Sequence, residues 1–506
     1  MNLFDRTSLY QTYKIYQKQI ILVLISACLI CQNSTSSASE ISASEKSSAE
    51  TGATEMSHYI KMKDDAYQWK LVDTQSTEKG NAYFIHFASQ TWLTPKDIDR
   101  TLWRHWMVVY VPKRLKYQTA LLYISGKNNT DDYRSFYAPR WFDFAEESEA
   151  VIAEVFNIPN QPFLFKEDPA QIQRTEDELL SFGWAQYYKT QEAHWLPHLP
   201  MVKSAIRAMD TVQSFCQSAS PVYCQIQQFI LSGKSKRGWT TYLTATQDQR
   251  VIGIAPMVFD VLNFTPHLQH HIESYGHYSP AMKPYEDQKL LETQGTKGFQ
   301  AVAAIIDPYS YRHQLTCPKM AIHATGDRFF PPDSAQFYWH DFVGDKHLRY
   351  IPNTDHSLNQ EAYTTLLTFF ESLTQRKPLP TLNWQIHQGK INIQSNRLPS
   401  KIKVWQARNQ QRDFRFQATQ TQWQEKEFTQ PHRWDETNQQ YHYEWAPEPS
   451  TDFFQGNLVE LTYENPKNAR RPIILTTEVW IQSPTKKGDA AHLTQPPDKP
   501  QPSLGN

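Results

Sequence analysis

A serine, an aspartate and a histidine stand in the order that a nucleophile, its orienting acid and its base take on a parallel sheet: Ser235, Asp327 and His356. Each follows an apolar run that reads as a strand. The stretch "FILSGKSKRGW" (229–239) carries Ser235 at a strand-to-helix turn. "KMAIHATGD" ends at Gly326-Asp327, and "LRYIPNTDHSL" runs into the turn that holds His356. A serine alone is a weak nucleophile. It attacks a carbonyl when a base takes its proton and an acid fixes the base in the correct tautomer. The N–H of Lys236, next after the serine, is one candidate donor to a developing oxyanion. Gly126, in the loop after the early strand "LLYIS", is the second. Asp355 and Asp333 are rival acids. Asp355 adjoins the base and folds back onto it poorly, and Asp333 is placed to cap a following helix, so Asp327 is preferred.

The same stretch imitates a phosphate-binding loop through Gly233-Lys234-Ser235. That loop needs a further glycine at 228, where the chain has Gln228 amid strand-forming residues. The elbow is itself irregular. The usual form is Gly-x-Ser-x-Gly, whereas Arg237 occupies the second glycine's place and Gly238 comes one residue late. On the motif alone, an ordinary turn with an ordinary serine competes.

The elements that must position these residues alternate. Strands are expected at Tyr83–Ser89, Trp106–Val111, Ala120–Ser125 and Ala150–Phe156, then helices at Glu176–Lys189 and Met201–Cys216. Strand Ile226–Ser232, helix Trp239–Thr246 and strand Val251–Val258 follow, then an irregular stretch 260–296. Strand Lys319–Ala324, helix Pro332–Phe342, strand Leu348–Ile351 and helix Leu358–Arg376 complete the series. This alternation predicts an α/β fold: a mostly parallel sheet flanked by helices over residues 56–378. His267, His270, His271 and His277 in the irregular stretch lack metal-ligand spacing, and are read as exposed side chains of a lid-like insertion. Trp239, Trp195 and Tyr309 are candidates for pocket or core, and Arg328-Phe329-Phe330 either shapes an acidic-substrate site or packs. Past Pro378-Leu379-Pro380, short alternating runs such as "KIKVWQA" and "NLVELTYE" predict a sandwich-like all-β module at 383–482. The Pro-rich tail 483–506 reads as disordered.

The charges nearly cancel, 51 basic against 52 acidic, so no overall field points to nucleic acid. No cofactor or metal is implied. At the N-terminus Lys14 and Lys18 precede the apolar run Ile20–Cys31, which is shorter than the ~20 residues of a membrane span and suits a signal peptide. Residues 1–31 are therefore expected to direct export and 32–55 to form a polar, disordered spacer. Ile25-Ser26-Ala27-Cys28 also fits a lipobox, which would make Cys28 a lipid anchor to a membrane; cleavage after Ala38 is the alternative. Cys216 and Cys224 either bridge a short loop or stay free, like Cys317.

Several blocks extend the argument beyond the elbow. "SQTWLTPKDIDRTLWRHWMVVYVP", "NIPNQPFLF", "EDELLSFGWAQYY", "SGKSKRGWTTYLTA" and "YIPNTDHSL" resemble the PhoPQ-activated pathogenicity-related protein family. The likeness runs from about 58 to 481 and implies an α/β-hydrolase fold in an exported protein. The family's elbow is typically Gly-Ala-Ser-Lys-Arg-Gly-Trp, so the late glycine is a family trait. Lys234 in place of a small residue, and Ser125 in place of a usual glycine, depart from it. Two functions follow as expectations. One is an exported serine hydrolase, esterase or amidase, working through an acyl-enzyme. The other is a secreted or membrane-tethered binding or signalling protein in which the β module meets a protein partner.

Overall fold

The computed structural model describes residues 55–218, 224–428 and 431–485. The expected signal peptide, Cys28, all but the last residue of the expected spacer and most of the tail lie outside them.

A nine-stranded sheet organises the N-terminal part. Its strands are β1 (Gln68–Ser76), β2 (Gly80–Thr91), β3 (Leu102–Pro112), β4 (Thr119–Ile124) and β5 (Ile152–Val155), then, beyond a small ribbon of β6 (Phe163–Leu164) and β7 (Gln173–Arg174), β8 (Gln228–Lys234), β9 (Val251–Met257), β10 (Lys319–Ala324) and β11 (Lys346–Ile351). The spatial order is β1-β2-β3-β5-β4-β8-β9-β10-β11. From β5 to β11 every neighbouring pair is parallel, while β1, β2 and β3 pair antiparallel. β2 to β11 in this order have the strand arrangement of an α/β hydrolase; β1 is an additional edge strand that the sequence reading missed. Its side chains are almost all exposed, so it lacks the apolar run that marks its neighbours. β4, by contrast, is buried along its whole length, as a strand covered on both faces must be.

The covering helices are α1 (Pro139–Ser148), α2 (Glu176–Thr190), α3 (His198–Ser218), α4 (Lys236–Ala245), α5 (Phe264–Tyr275), α6 (Lys283–Asp287), α7 (Lys297–Ile306) and α8 (Gln360–Thr374). The stretch 260–296 is thus not irregular: α5, α6 and short 3-10 turns fill it. The helix expected over 332–342 is instead two 3-10 turns, Ser334–Phe337 and Trp339–Asp341. The break falls at Tyr338, which leaves helical angles (φ −146°) as its buried hydroxyl donates to Asp260 Oδ1 at 2.6 Å. A disulfide joins Cys216 at the end of α3 to Cys224 before β8, and Cys317 is a free thiol.

The C-terminal part is two antiparallel sheets. One contains β12 (Leu382–His387), β13 (Lys390–Ser395), β16 (Arg433–Asp435) and β17 (Gln440–Trp445). The other contains β14 (Lys401–Asn409), β15 (Gln424–Glu427), β18 (Phe454–Tyr463), β19 (Ile473–Thr476) and β20 (Trp480–Gln482), with a single helical turn, α9 (Phe416–Thr419), between β14 and β15. The second sheet meets the edge of the large one. Tyr350 N donates to Thr476 Oγ1 at 2.9 Å, and buried Arg349 on β11 donates to Glu460 on β18 at 2.6 Å.

Candidate active site

β8 ends at Lys234 and α4 begins at Lys236, so Ser235 alone turns the chain. It does so at φ 56°, ψ −128°, a conformation costing about 1–3 kcal/mol that persists only where the surroundings hold it. Ser235 N donates to Met257 O at 2.8 Å, and Trp239 N donates to Ser235 O at 3.0 Å. Two glycines allow the crossing. A Cβ on Gly233 would stand 2.8 Å from Arg237 Cβ, and one on Gly238 would stand 3.0 Å from the carbonyl oxygens of Gly233 and Met257. The late glycine is where helix and strands touch, so it cannot be moved one residue earlier.

Arg237 does not crowd the elbow. Its guanidinium donates to Ile158 O at 2.5 Å and to both carboxylate oxygens of Glu176 at 2.7 Å. The Lys236 ammonium also reaches Glu176 (2.7 Å) and Asp177 (3.2 Å). Burial opposes charge on Glu176, yet Arg237 and Lys236 hold its carboxyl well below the usual carboxylate range. Glu176 and Asp177 together therefore balance the two buried cations that follow the serine. No role was read for either carboxylate in the sequence. The available signal was the pair Lys236-Arg237 beside an elbow that must be buried, which requires nearby carboxylates.

Asp327 is buried and lies against His356. His356 Nδ1–H donates to the carboxylate at 2.8 Å (Oδ2) and 3.0 Å (Oδ1), and Phe329 N donates to Oδ1 at 2.8 Å. The rivals are engaged elsewhere. Asp355 accepts from Ser357 N, while Asp333 pairs with His270 and Arg412 and makes no side-chain capping bond to the turn it precedes, contrary to its expected role. Lys234 crosses from the elbow to the turn that carries His356: Nζ donates to Ser357 O at 2.7 Å and lies 4.9 Å over the Tyr363 ring. Among the described residues Ser235 Oγ makes no hydrogen bond to His356; such bonds are commonly long in unliganded sites and tighten on substrate binding.

A cleft partly open to solvent lies over Ser235. Its lining is largely aromatic and aliphatic, with Trp184, Trp239, Phe259, Phe329 and Phe330. The insertion contributes Phe264, Leu268, Met282 and Leu291. Phe329 packs on His356, with ring centroids 4.5 Å apart. Of the aromatics singled out in the sequence, Trp239 lines this cleft; Trp195 packs on Phe165, and Tyr309 donates to Asp341. The insertion's histidines also differ from expectation. His267, His270 and His271 are buried, and only His277 is exposed. Burial pushes His271 down to about 3 and His267 well below its usual value. They sit on the inward face of α5, which packs against the rest of the fold. No grouping of ligating side chains suited to a metal occurs among the described residues.

Gly126 backs onto the elbow, since a Cβ there would stand 2.4 Å from Arg237 Nη2. The N–H groups of Gly126 and Lys236 have no protein acceptor among the described residues. Ser125 Oγ donates to buried Glu154 at 2.5 Å, as does Trp141 Nε1. Burial raises the Glu154 carboxyl to about 7. A carboxyl raised by folding is protonated in the native state while the unfolded chain has already ionised. Stability therefore falls as pH rises from about 4.5 to 7, by about 3 kcal/mol at most. Glu154→Gln removes the charge while its amide oxygen still accepts from Trp141 Nε1 and its NH₂ donates to the rotatable Ser125 hydroxyl. In urea titrations it should match wild type at pH 4 and exceed it at pH 8; equal stability at pH 8 contradicts this account.

Residues 56–415 match the family described as PhoPQ-activated pathogenicity-related protein. Autocrine proliferation repressor protein A of Dictyostelium discoideum is 35% identical over 387 residues, covering 72% of this chain and 76% of that one. Among solved structures, an acetyl xylan esterase from Paenibacillus sp. R4 aligns with a TM-score of 0.45 and 14% identity, over 64% of this chain and 92% of its own. A glucuronoyl esterase from Solibacter usitatus aligns with a TM-score of 0.37 and 13% identity, over 63% and 91%. These structural likenesses are low, and the fold assignment rests on strand order and register.

Proposed function

Since the chain belongs to the PhoPQ-activated pathogenicity-related protein family, whose description names no reaction, we propose its function from its own site: a serine hydrolase that cleaves carboxylic esters or amides through an acyl-enzyme. The observation that carries this reading is the serine held at φ 56° after β8, below a cleft lined by Phe329, whose ring packs on His356 of the Asp327–His356 pair. With Nδ1–H committed to Asp327, His356 Nε2 is left to accept the Ser235 proton. Ser235 Oγ bonds to the carbonyl carbon, and the oxyanion accepts from the N–H groups of Lys236 and Gly126. His356 returns the proton to the leaving oxygen or nitrogen as that bond breaks. Water then repeats the sequence on the acyl-enzyme.

The cleft suggests the substrate. Its carboxylate Asp177 is already paired with Lys236 and accepts from Tyr285 Oη–H at 3.1 Å, so its remaining surface is apolar and favours an uncharged acyl or alcohol group. 4-Nitrophenyl butyrate and octanoate should be cleaved with higher kcat/KM than the acetate, by about tenfold for each two or three methylenes buried. Rapid mixing should release a burst of one nitrophenolate per protein. Proteins that fold but give neither burst nor turnover with any of these esters would leave the binding-protein reading in place. Export is proposed on the N-terminal signal and on the Cys216–Cys224 disulfide, which suits an oxidising compartment.

A further inference from the structure

One segment of the C-terminal part reaches the active site. Between β14 and β15, Phe416 N donates to Gly326 O at 3.1 Å, and Gly326 is a glycine because Phe416 Cβ would stand 2.7 Å from any Cβ there. Gln417 Nε2 donates to Asp355 Oδ2 at 3.3 Å. Asn353 and Trp423 exchange two bonds: Asn353 Nδ2 donates to Trp423 O at 2.9 Å, and Trp423 N donates to Asn353 Oδ1 at 2.7 Å. Gly326 directly precedes Asp327, and Asp355 directly precedes His356. The same segment clasps the lid. Arg412 donates to Asp333 Oδ2 and to Ser274 Oγ on α5, each at 2.5 Å, and Arg415 lies 4.1 Å over the Tyr275 ring.

We propose that the segment around 412–423 is a positioning element of the hydrolytic site, fixing the turns that carry Asp327 and His356 and tying the lid to them. The inference rests on the serine-hydrolase reading above. Its physical basis is that both residues sit beyond the ends of their strands, where the ladder no longer supplies hydrogen bonds. The bonds that fix these turns come from each other, from Lys234 on the elbow, from Ser279 Oγ of the insertion, which donates to Arg328 O at 2.6 Å, and from this segment. A displacement of about 1 Å at a reacting group costs on the order of 100-fold in rate. The all-β part is then a component of the catalytic unit rather than an appendage.

The test uses the full chain carrying Asn353→Gly with Gln417→Leu. Asn353 has φ 57°, which glycine adopts freely, so only side-chain bonds are lost. Glu436→Gln, in an exposed turn of the same part, is the control. With 4-nitrophenyl butyrate the double variant should lose about 10- to 100-fold in kcat with KM within about threefold, and the control should match wild type. The His356 Nδ1–H proton resonance, far downfield while bonded to a carboxylate, should shift or broaden in the double variant. If that variant does not fold, Gln417→Leu alone should show the same shift and a kcat loss of about fivefold. Turnover within about twofold of wild type, with the resonance unmoved, would overturn the proposal. A moved resonance in a protein that has no esterase activity even as wild type supports the positioning role and removes the hydrolase reading instead.

Discussion

Ser235→Ala should fold normally and lose about 10⁶-fold in turnover of 4-nitrophenyl esters. The loss is large because the other groups act only through the serine: His356 has no proton to take and the oxyanion donors have no tetrahedral adduct to bind. Stability should move in the opposite direction when the residue is glycine. Ser235 adopts φ 56°, ψ −128°, a region that glycine enters without penalty, so Ser235→Gly should be equally inactive and more stable than wild type by about 1 kcal/mol in urea titrations. Both results together would mark the strain as a cost borne for presenting Oγ to the cleft. A Ser235→Gly protein less stable than wild type would mean that the serine side chain is there for packing.

Asp327→Asn should lower kcat by about 10⁴-fold with the fold retained. The present carboxylate accepts from two donors, His356 Nδ1–H and Phe329 N. An amide keeps its oxygen on the Phe329 N–H and turns its NH₂ toward the imidazole. Nδ1 must then accept, the proton moves to Nε2, and the base can no longer receive a proton from Ser235. The loss should ease at higher pH only as far as the serine hydroxyl itself begins to ionise. Turnover within tenfold of wild type would show that another group orients His356.

Much of the site was legible because its residues obey local rules. The apolar run of β8 and its two flanking glycines mark an elbow, and Asp327 and His356 follow strands whose composition admits no other element. What the sequence hid is what depends on distant contact. β1 is an edge strand with exposed side chains, so it carries no hydrophobic signal. Asp333 looks like a cap because a cap is a local device, whereas its partners His270 and Arg412 come from α5 and the C-terminal part. The buried histidines of α5 look like surface residues for the same reason: the face that α5 turns inward is set by Phe330 and Phe337, which pack on His267 from another segment. Lys234 has the plainest lesson. In the sequence it is an intrusion that imitates a phosphate loop; in the fold it reaches Ser357 and ties the nucleophile's turn to the base's.

The central claim is that Ser235 is an activated nucleophile. Intact-mass and peptide mass spectrometry after treatment with a fluorophosphonate tests it most directly. The account predicts a single adduct, on the peptide containing Ser235, that forms in wild type and is absent from Ser235→Ala. A folded wild-type protein that stays unmodified, or an adduct on any other residue, would contradict it.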